Sequence, residues 1–111
     1  MPPERNRRLA LAEFVTRLRQ TLSTHLLDVR LFGSEARGEA TPESDIDVLI
    51  VVQPDADRVR LEDRIIDLAF DVNVAFGVYV SPRVMTAAML NDPVRRETPF
   101  LKNVARESLA L

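Results

Sequence analysis

Apolar residues recur along this chain with two different periods, and the switches between them outline the elements. Leu11, Phe14, Val15, Leu18 and Leu22 recur at helical spacing and predict a helix from Arg5 to about Ser23, after a frayed start at Met1 to Glu4. Arg7, Arg8, Arg17 and Arg19 fall off that stripe, so a solvated face is expected for them. The single histidine, His25, should close the helix near its negative end. It has no acid or second histidine in local register, which argues against a ligand or catalytic role.

The period then shortens to two. Leu26 or Asp28 to Phe32 predicts a strand with Val29 and Leu31 on one side and Arg30 and Phe32 on the other. Gly33 breaks it, Ser34 to Arg37 predicts a short helix, and Gly38 to Ser44 predicts a loop that turns at Pro42. Ile46 to Val52 predicts a second strand, unbroken by polar residues from Val48 onward, as a strand buried on both faces would be.

Asp55 or Asp57 should cap a long helix reaching about Phe76. Its inward stripe is Leu61, Ile65, Leu68 and Val72, widened by Ile66, Ala69 and Phe70, and Arg60–Asp63 and Arg64–Asp67 are placed to pair on it. Gly77 should end that helix in the left-handed conformation. Val78 to Met85 predicts a third strand, which Pro82 confines to an edge or a bulge. A short helix from Thr86 to Leu90, a turn-rich connection from Asn91 to Glu97, and a last helix complete the chain. Thr98 caps that last helix, Pro99 starts it, and Phe100, Leu101, Val104 and Ala105 give it an apolar face. The end, Leu109-Ala110-Leu111, hints at a packed terminus or an interface.

The elements alternate, so the fold class is α/β: a small mixed sheet packed by helices, expected on one side of it. At 111 residues, 1–111 read as a single domain with a small core, open to completion by a partner surface. A net charge of −2 argues against direct nucleic-acid binding on electrostatics alone. With no cysteine there is no disulfide, thiolate metal site or cysteine nucleophile, which suits a reducing cytoplasm. No apolar run reaches membrane-span length, and the arginine-rich start has no signal-peptide pattern.

The candidate chemistry lies between Leu31 and Val52. If Ile46 to Val52 is a strand, Asp45 and Asp47 share a face, close enough to hold a divalent cation such as Mg²⁺ or Mn²⁺. Two acids there are costly unless a metal or hydrogen-bond donors satisfy them. Gly33 and Ser34 offer small side chains and free backbone N–H groups to phosphate oxygens. Each feature also has a plainer explanation. Ser-Asp is common at the start of a strand, Gly-Ser makes ordinary turns, and Arg37 could simply pair with Glu39 or Glu43.

Taken together and in order, Gly33-Ser34, Ala36-Arg37-Gly38 and Ser44-Asp45-x-Asp47 resemble the signature of the DNA polymerase beta-like nucleotidyltransferases, in particular their minimal, MNT-type branch. The final Phe100-Leu101-Lys102-Asn103-Val104 with Arg106-Glu107 is similar to tails of that group. The resemblance implies the nucleotidyltransferase fold. It implies that Asp45 and Asp47 are catalytic and bridge the metals, and that Gly33, Ser34, Arg37 and Ser44 contact nucleotide or order its loop. ATP would be the substrate. The partner would be a HEPN-type helical protein, with this chain as antitoxin and a tyrosine hydroxyl of the partner as acceptor. A homo-oligomer also stays open.

One departure from the family pattern matters. Active members carry a third carboxylate on the next strand, and Gly77-Val78-Tyr79-Val80-Ser81-Pro82 contains none. Asp71 precedes it but is expected as a surface charge. Loss of a general base costs about 10²–10⁴-fold rather than everything. Two functional readings follow: an enzyme passing AMP to a partner hydroxyl, or a nucleotide-binding module that neutralises its partner by occlusion. Aspartate-nucleophile phosphohydrolases also use Asp-x-Asp but need a lysine, and Lys102, the only one, lies on a distant helix. A P-loop is excluded, because no Gly-Lys-Ser/Thr is present. Aminoglycoside transfer would need a further helical domain.

Overall fold

The computed structural model describes residues 3–54 and 57–111. Helix α1 spans Pro3–Leu22, so Pro3 and Glu4 are helical rather than frayed, while Met1 and Pro2 lie outside the described residues. A 3-10 turn at Ser23–His25 leads into β1, Leu26–Phe32. A five-residue helix α2, Gly33–Arg37, and a loop then connect to β2, Ile46–Val52. Helix α3 runs Arg58–Phe76, β3 covers Val80–Thr86, and three helices follow: α4 Ala87–Asn91, α5 Pro93–Arg96 and α6 Pro99–Glu107. A two-residue strand β4, Leu109–Ala110, ends the described fold.

The local chemistry of the ends is largely as the residues dictate. The Asp57 side chain accepts from Arg60 N–H at the start of α3, while the alternative cap, Asp55, lies outside the described residues. Gly77 closes α3 at φ 64°. Thr98 accepts from Leu101 N–H and Pro99 occupies the first turn of α6. Thr86 caps α4, and Asp92 caps α5, a turn of helix within the stretch expected to be only turns.

The sheet order is β3-β2-β1-β4. β1 pairs antiparallel with both β2 and β4, and β2 pairs parallel with β3, giving a mixed sheet with β2 inside it. That position explains the unbroken apolar run of β2: Val48, Leu49, Ile50, Val51 and Val52 are all buried. β3 is an edge strand, as Pro82 requires, and pairs without a bulge through Pro82 itself. The outward-facing polar groups of Val80 are met by Asn73 of α3, whose Oδ1 accepts from Val80 N–H at 2.7 Å and whose Nδ2 donates to Val80 O at 3.3 Å.

Helices cover both faces of the sheet, not one. α1 and α3 bury Phe14, Leu18, Leu22, Ile65 and Val72 against Val29, Val48, Ile50, Val52 and Val80. On the other face, Leu101 and Val104 of α6 pack on Leu49, Val51 and Met85. The sheet is thus a middle layer, and alternate residues of β2 serve different cores.

Three details of α3 and α1 differ from the sequence expectation. Ile66 and Phe70 do not widen the inward stripe of α3; they stand exposed with Val59 and Val74 on its outer side. Among the described residues, Arg60–Asp63 and Arg64–Asp67 form no ion pair, whereas Arg58 and Glu62 do, at 3.0 Å. Arg7 is buried, at 7 % exposure, instead of sharing the solvated face of its neighbours.

Candidate active site

The site is assembled where β1 turns into α2. Gly33 adopts φ +72°, a conformation other residues rarely take, and this folds the bend back over β2. The Asp47 carboxylate is seated against it. A β-carbon on Gly33 would overlap Asp47 Oδ2 and lie 3.2 Å from its Cγ. Across the sheet Asp47 is aligned with Phe32 of β1 and Ser81 of β3. It therefore faces the side covered by α6, just past the end of the apolar packing around Leu49.

Asp45 precedes β2 and is exposed. Partial burial pushes the Asp47 carboxyl above the usual range, the charge of Asp45 adds to the rise, and Arg37 opposes it. The charges of Asp45 and Arg37 thus act on Asp47 in opposite directions. Arg37 itself is exposed and bonds Glu39 at 3.1 Å and Glu107 of α6 at 3.3 Å. Those two hydrogen bonds raise its pKa further.

The two serines differ. Ser34 sits half-buried in the first turn of α2, and its carbonyl accepts from Glu39 N–H at 2.9 Å. The Ser44 hydroxyl accepts from Thr41 N–H at 2.9 Å and lies 3.1 Å from the Thr41 hydroxyl, so it orders the loop. Gly33, Ser34 and Arg37 thus share α2 beside the Asp47 carboxylate, and Ser44 braces the loop that leads through Asp45 into β2.

Arg7 is the residue the periodicity hid. From α1 its guanidinium reaches the Glu35 carboxylate of α2, and its Nη1 donates to the Ser44 carbonyl at 2.7 Å and to Pro42 O at 3.4 Å. Its Nη2 has no aligned hydrogen-bond acceptor and is held as an ion-pair contact against the same carboxylate. One buried cation therefore ties the turn carrying Ser34 to the loop carrying Asp45. The only sequence signal was a charge at the margin of an apolar stripe, with its partner 28 positions away. A cleft of about 590 Å³ opens beside this clamp, lined in part by Arg7, Leu11, Leu31, Glu35 and Ile46; neither aspartate lines it.

No third acid joins the pair. Among the described residues no cluster of three metal-ligating side chains exists, and Asp71 is exposed on α3. Ser81 occupies the aligned position on β3. The two carboxylates suit a hard divalent cation: they supply oxygen ligands, repel one another, and form no ion pair among the described residues. Bound there, such a cation would draw on Asp45 and Asp47 with water or substrate oxygens completing its shell.

Comparison with known proteins points the same way. The model of the nucleotidyltransferase domain matches residues 11–108. A Methanocaldococcus jannaschii protein named as a candidate protein adenylyltransferase is 35% identical over 106 residues, covering 96% of this chain and 98% of the relative. A second such protein from that organism is 33% identical over 78 residues, covering 67% of this chain and 78% of the relative. Among solved structures, one described as a minimal nucleotidyltransferase aligns with 100% of this chain and 97% of its own at TM-score 0.58 and 26% identity. A toxin–antitoxin complex with AMP-PNP aligns with 87% of this chain and 68% of its own at TM-score 0.55 and 21% identity, a likeness of fold. A tyrosine-to-alanine mutant of the MntA-HpeT toxin–antitoxin complex aligns with 91% and 70% at TM-score 0.58 and 22% identity, again in fold. With the family pattern matched across nearly its whole length, the bend over Asp47 in place and the mixed sheet as expected, this chain belongs to the nucleotidyltransferase domain family.

Proposed function

We propose that the chain is a divalent-metal-dependent adenylyltransferase that uses ATP and passes AMP to a hydroxyl of a partner protein. By resemblance that partner is a HEPN-type helical protein, with this chain as the antitoxin. The observation that carries the proposal is the seating of the Asp47 carboxylate on the Gly33 bend, with Asp45 and Arg37 close enough to shift its titration. The names of the M. jannaschii relatives support adenylyl transfer, and the AMP-PNP bound to a structural neighbour supports ATP.

Asp45 and Asp47 would hold Mg²⁺ or Mn²⁺, which when bound neutralises phosphate charge and stabilises the charge that develops in transfer. Gly33 N–H and the Ser34 hydroxyl grip the terminal phosphates, and Arg37 adds a cation beside them. Arg7 and Ser44 hold this cradle in shape. The acceptor oxygen then bonds to the α-phosphorus, the bond from that phosphorus to the bridging oxygen breaks, pyrophosphate leaves, and the hydroxyl proton passes to water.

The test is transfer of label from α-labelled ATP to the co-purified partner. Label should appear on the partner and disappear in Asp45→Asn. Ser81 in the position aligned with Asp47 favours a second reading, a nucleotide-binding module that neutralises its partner by occlusion. Complex formation that survives Asp47→Asn, with no label transferred by the unaltered chain, supports that reading instead.

A further inference from the structure

The two flanks of the aspartate pair differ in chemistry. On the β1–α2 flank are Gly33, Ser34 and Arg37, whose guanidinium contacts Glu39 and Glu107. On the β3 flank, Ser81 is aligned with Asp47, and two residues further along the same face comes Arg83, aligned with Leu49. Arg83 is exposed and, among the described residues, forms no ion pair.

Arg83 is nevertheless held in place. Its guanidinium carbon lies 3.8 Å from the centroid of the Phe100 ring, a cation–π seat. Phe100 is fixed in turn by the edge of Phe32, at 5.3 Å between centroids and an interplanar angle of 85°. Phe32 is the β1 neighbour of Asp47. A chain of contacts thus runs from the aspartate row to a positioned cation whose hydrogen-bonding edge has no acidic partner.

In-line transfer assigns the two flanks. The attacking and leaving oxygens lie on opposite sides of the phosphorus. With pyrophosphate departing over Gly33, Ser34 and Arg37, the acceptor oxygen must arrive from the β3 side, where Ser81, Arg83 and the 60 % exposed Tyr79 stand. We infer that Arg83, seated on Phe100, is a specificity residue for the acceptor, and that the acceptor carries a carboxylate or similar anionic group beside its reacting hydroxyl. This rests on the adenylyltransfer reading and names the chemistry of its second substrate. A guanidinium with a free fork prefers a planar anion, which it meets with two parallel hydrogen bonds.

The test uses the intact chain, Mg²⁺, α-labelled ATP and two synthetic tyrosine peptides, one flanked by glutamates and one by lysines. The acidic peptide should be labelled at least about tenfold more efficiently, the expected worth of one charge-assisted pair. Arg83→Gln should remove that preference by raising KM for the acidic peptide, while calorimetry shows ATP binding unchanged. Arg83→Lys should restore part of the preference. Equal labelling of the peptides, labelling of neither while the co-purified partner is labelled, or an Arg83→Gln variant that loses ATP affinity in step with transfer overturns the inference. Failure of the reading beneath it shows differently: ATP does not bind, the co-purified partner takes no label, or label persists in Asp45→Asn.

Discussion

Gly33 and Asp47 constrain one another at the scale of single residues. Replacing Gly33 by alanine meets two costs at once, the left-handed backbone and the overlap with Asp47 Oδ2. Gly33→Ala should lose at least about 2 kcal/mol in urea denaturation and its nucleotide binding with it. Asp47 has the opposite character, being tolerated by the fold rather than required by it. Its pKa is raised in the folded chain, so the folded state holds more protons than the unfolded one near that range, and stability falls as pH rises. Its contribution is fully present below the ordinary carboxylate pKa and is lost as pH passes through the elevated folded value. In metal-free buffer, Asp47→Asn should therefore melt near the unaltered chain in acid and above it at neutral pH. Added Mg²⁺ should raise Tm of the unaltered chain and leave that of the variant unmoved. Arg7 is different again. Arg7→Met strands Glu35, a half-buried carboxylate, and should cost about 2–3 kcal/mol, less than a fully buried pair would. Arg7→Met with Glu35→Gln should recover much of that in the same denaturation series.

Element by element, legibility followed the length and purity of the pattern. α1 and α3 were plain because several positions agreed on one period, and β2 because its apolar run is unbroken; Asp57 and the terminator Gly77 fixed the ends of α3, and Thr98 the start of α6. β4 was invisible, since two residues carry no period; Leu111 N–H donating to Val29 O is a long-range fact. Phe100, Leu101 and Val104 of the α6 stripe pack as expected while Ala105 stays exposed, but a stripe says only that a helix packs, not on which face of a sheet, so the second layer was missed. Ile66 and Phe70 misled for a related reason. Apolar character was taken to mean burial, although α3 already met the sheet through Leu61, Ile65, Ala69 and Val72. The motif residues were legible because Gly-Ser and Asp-x-Asp carry local geometry, whereas Arg7 and Arg83 matter only through partners brought by folding. α6 supplies both Leu101 to the core and Phe100 to the Arg83 seat, so its start should be sensitive. Thr98→Ala should cost about 1 kcal/mol of stability by removing the cap on Leu101 N–H, measured by thermal denaturation.

At the level of the whole molecule, the sheet edge formed by β3 lies beside the aspartates. An exposed strand normally invites other chains to add to it. Here alternate residues of β3 point their peptide groups away from β2, and the first of them, Val80, spends both groups on Asn73. Pro82, the next, has no N–H to offer. A docking strand would find Val80 already paired and only a carbonyl at Pro82, so the ladder is interrupted along the first half of β3. Asn73→Leu combined with Pro82→Val should convert a chain that stays clear on storage at high concentration into one that scatters light and binds thioflavin. The margin beside the aspartate pair has thus been made unattractive to its own kind.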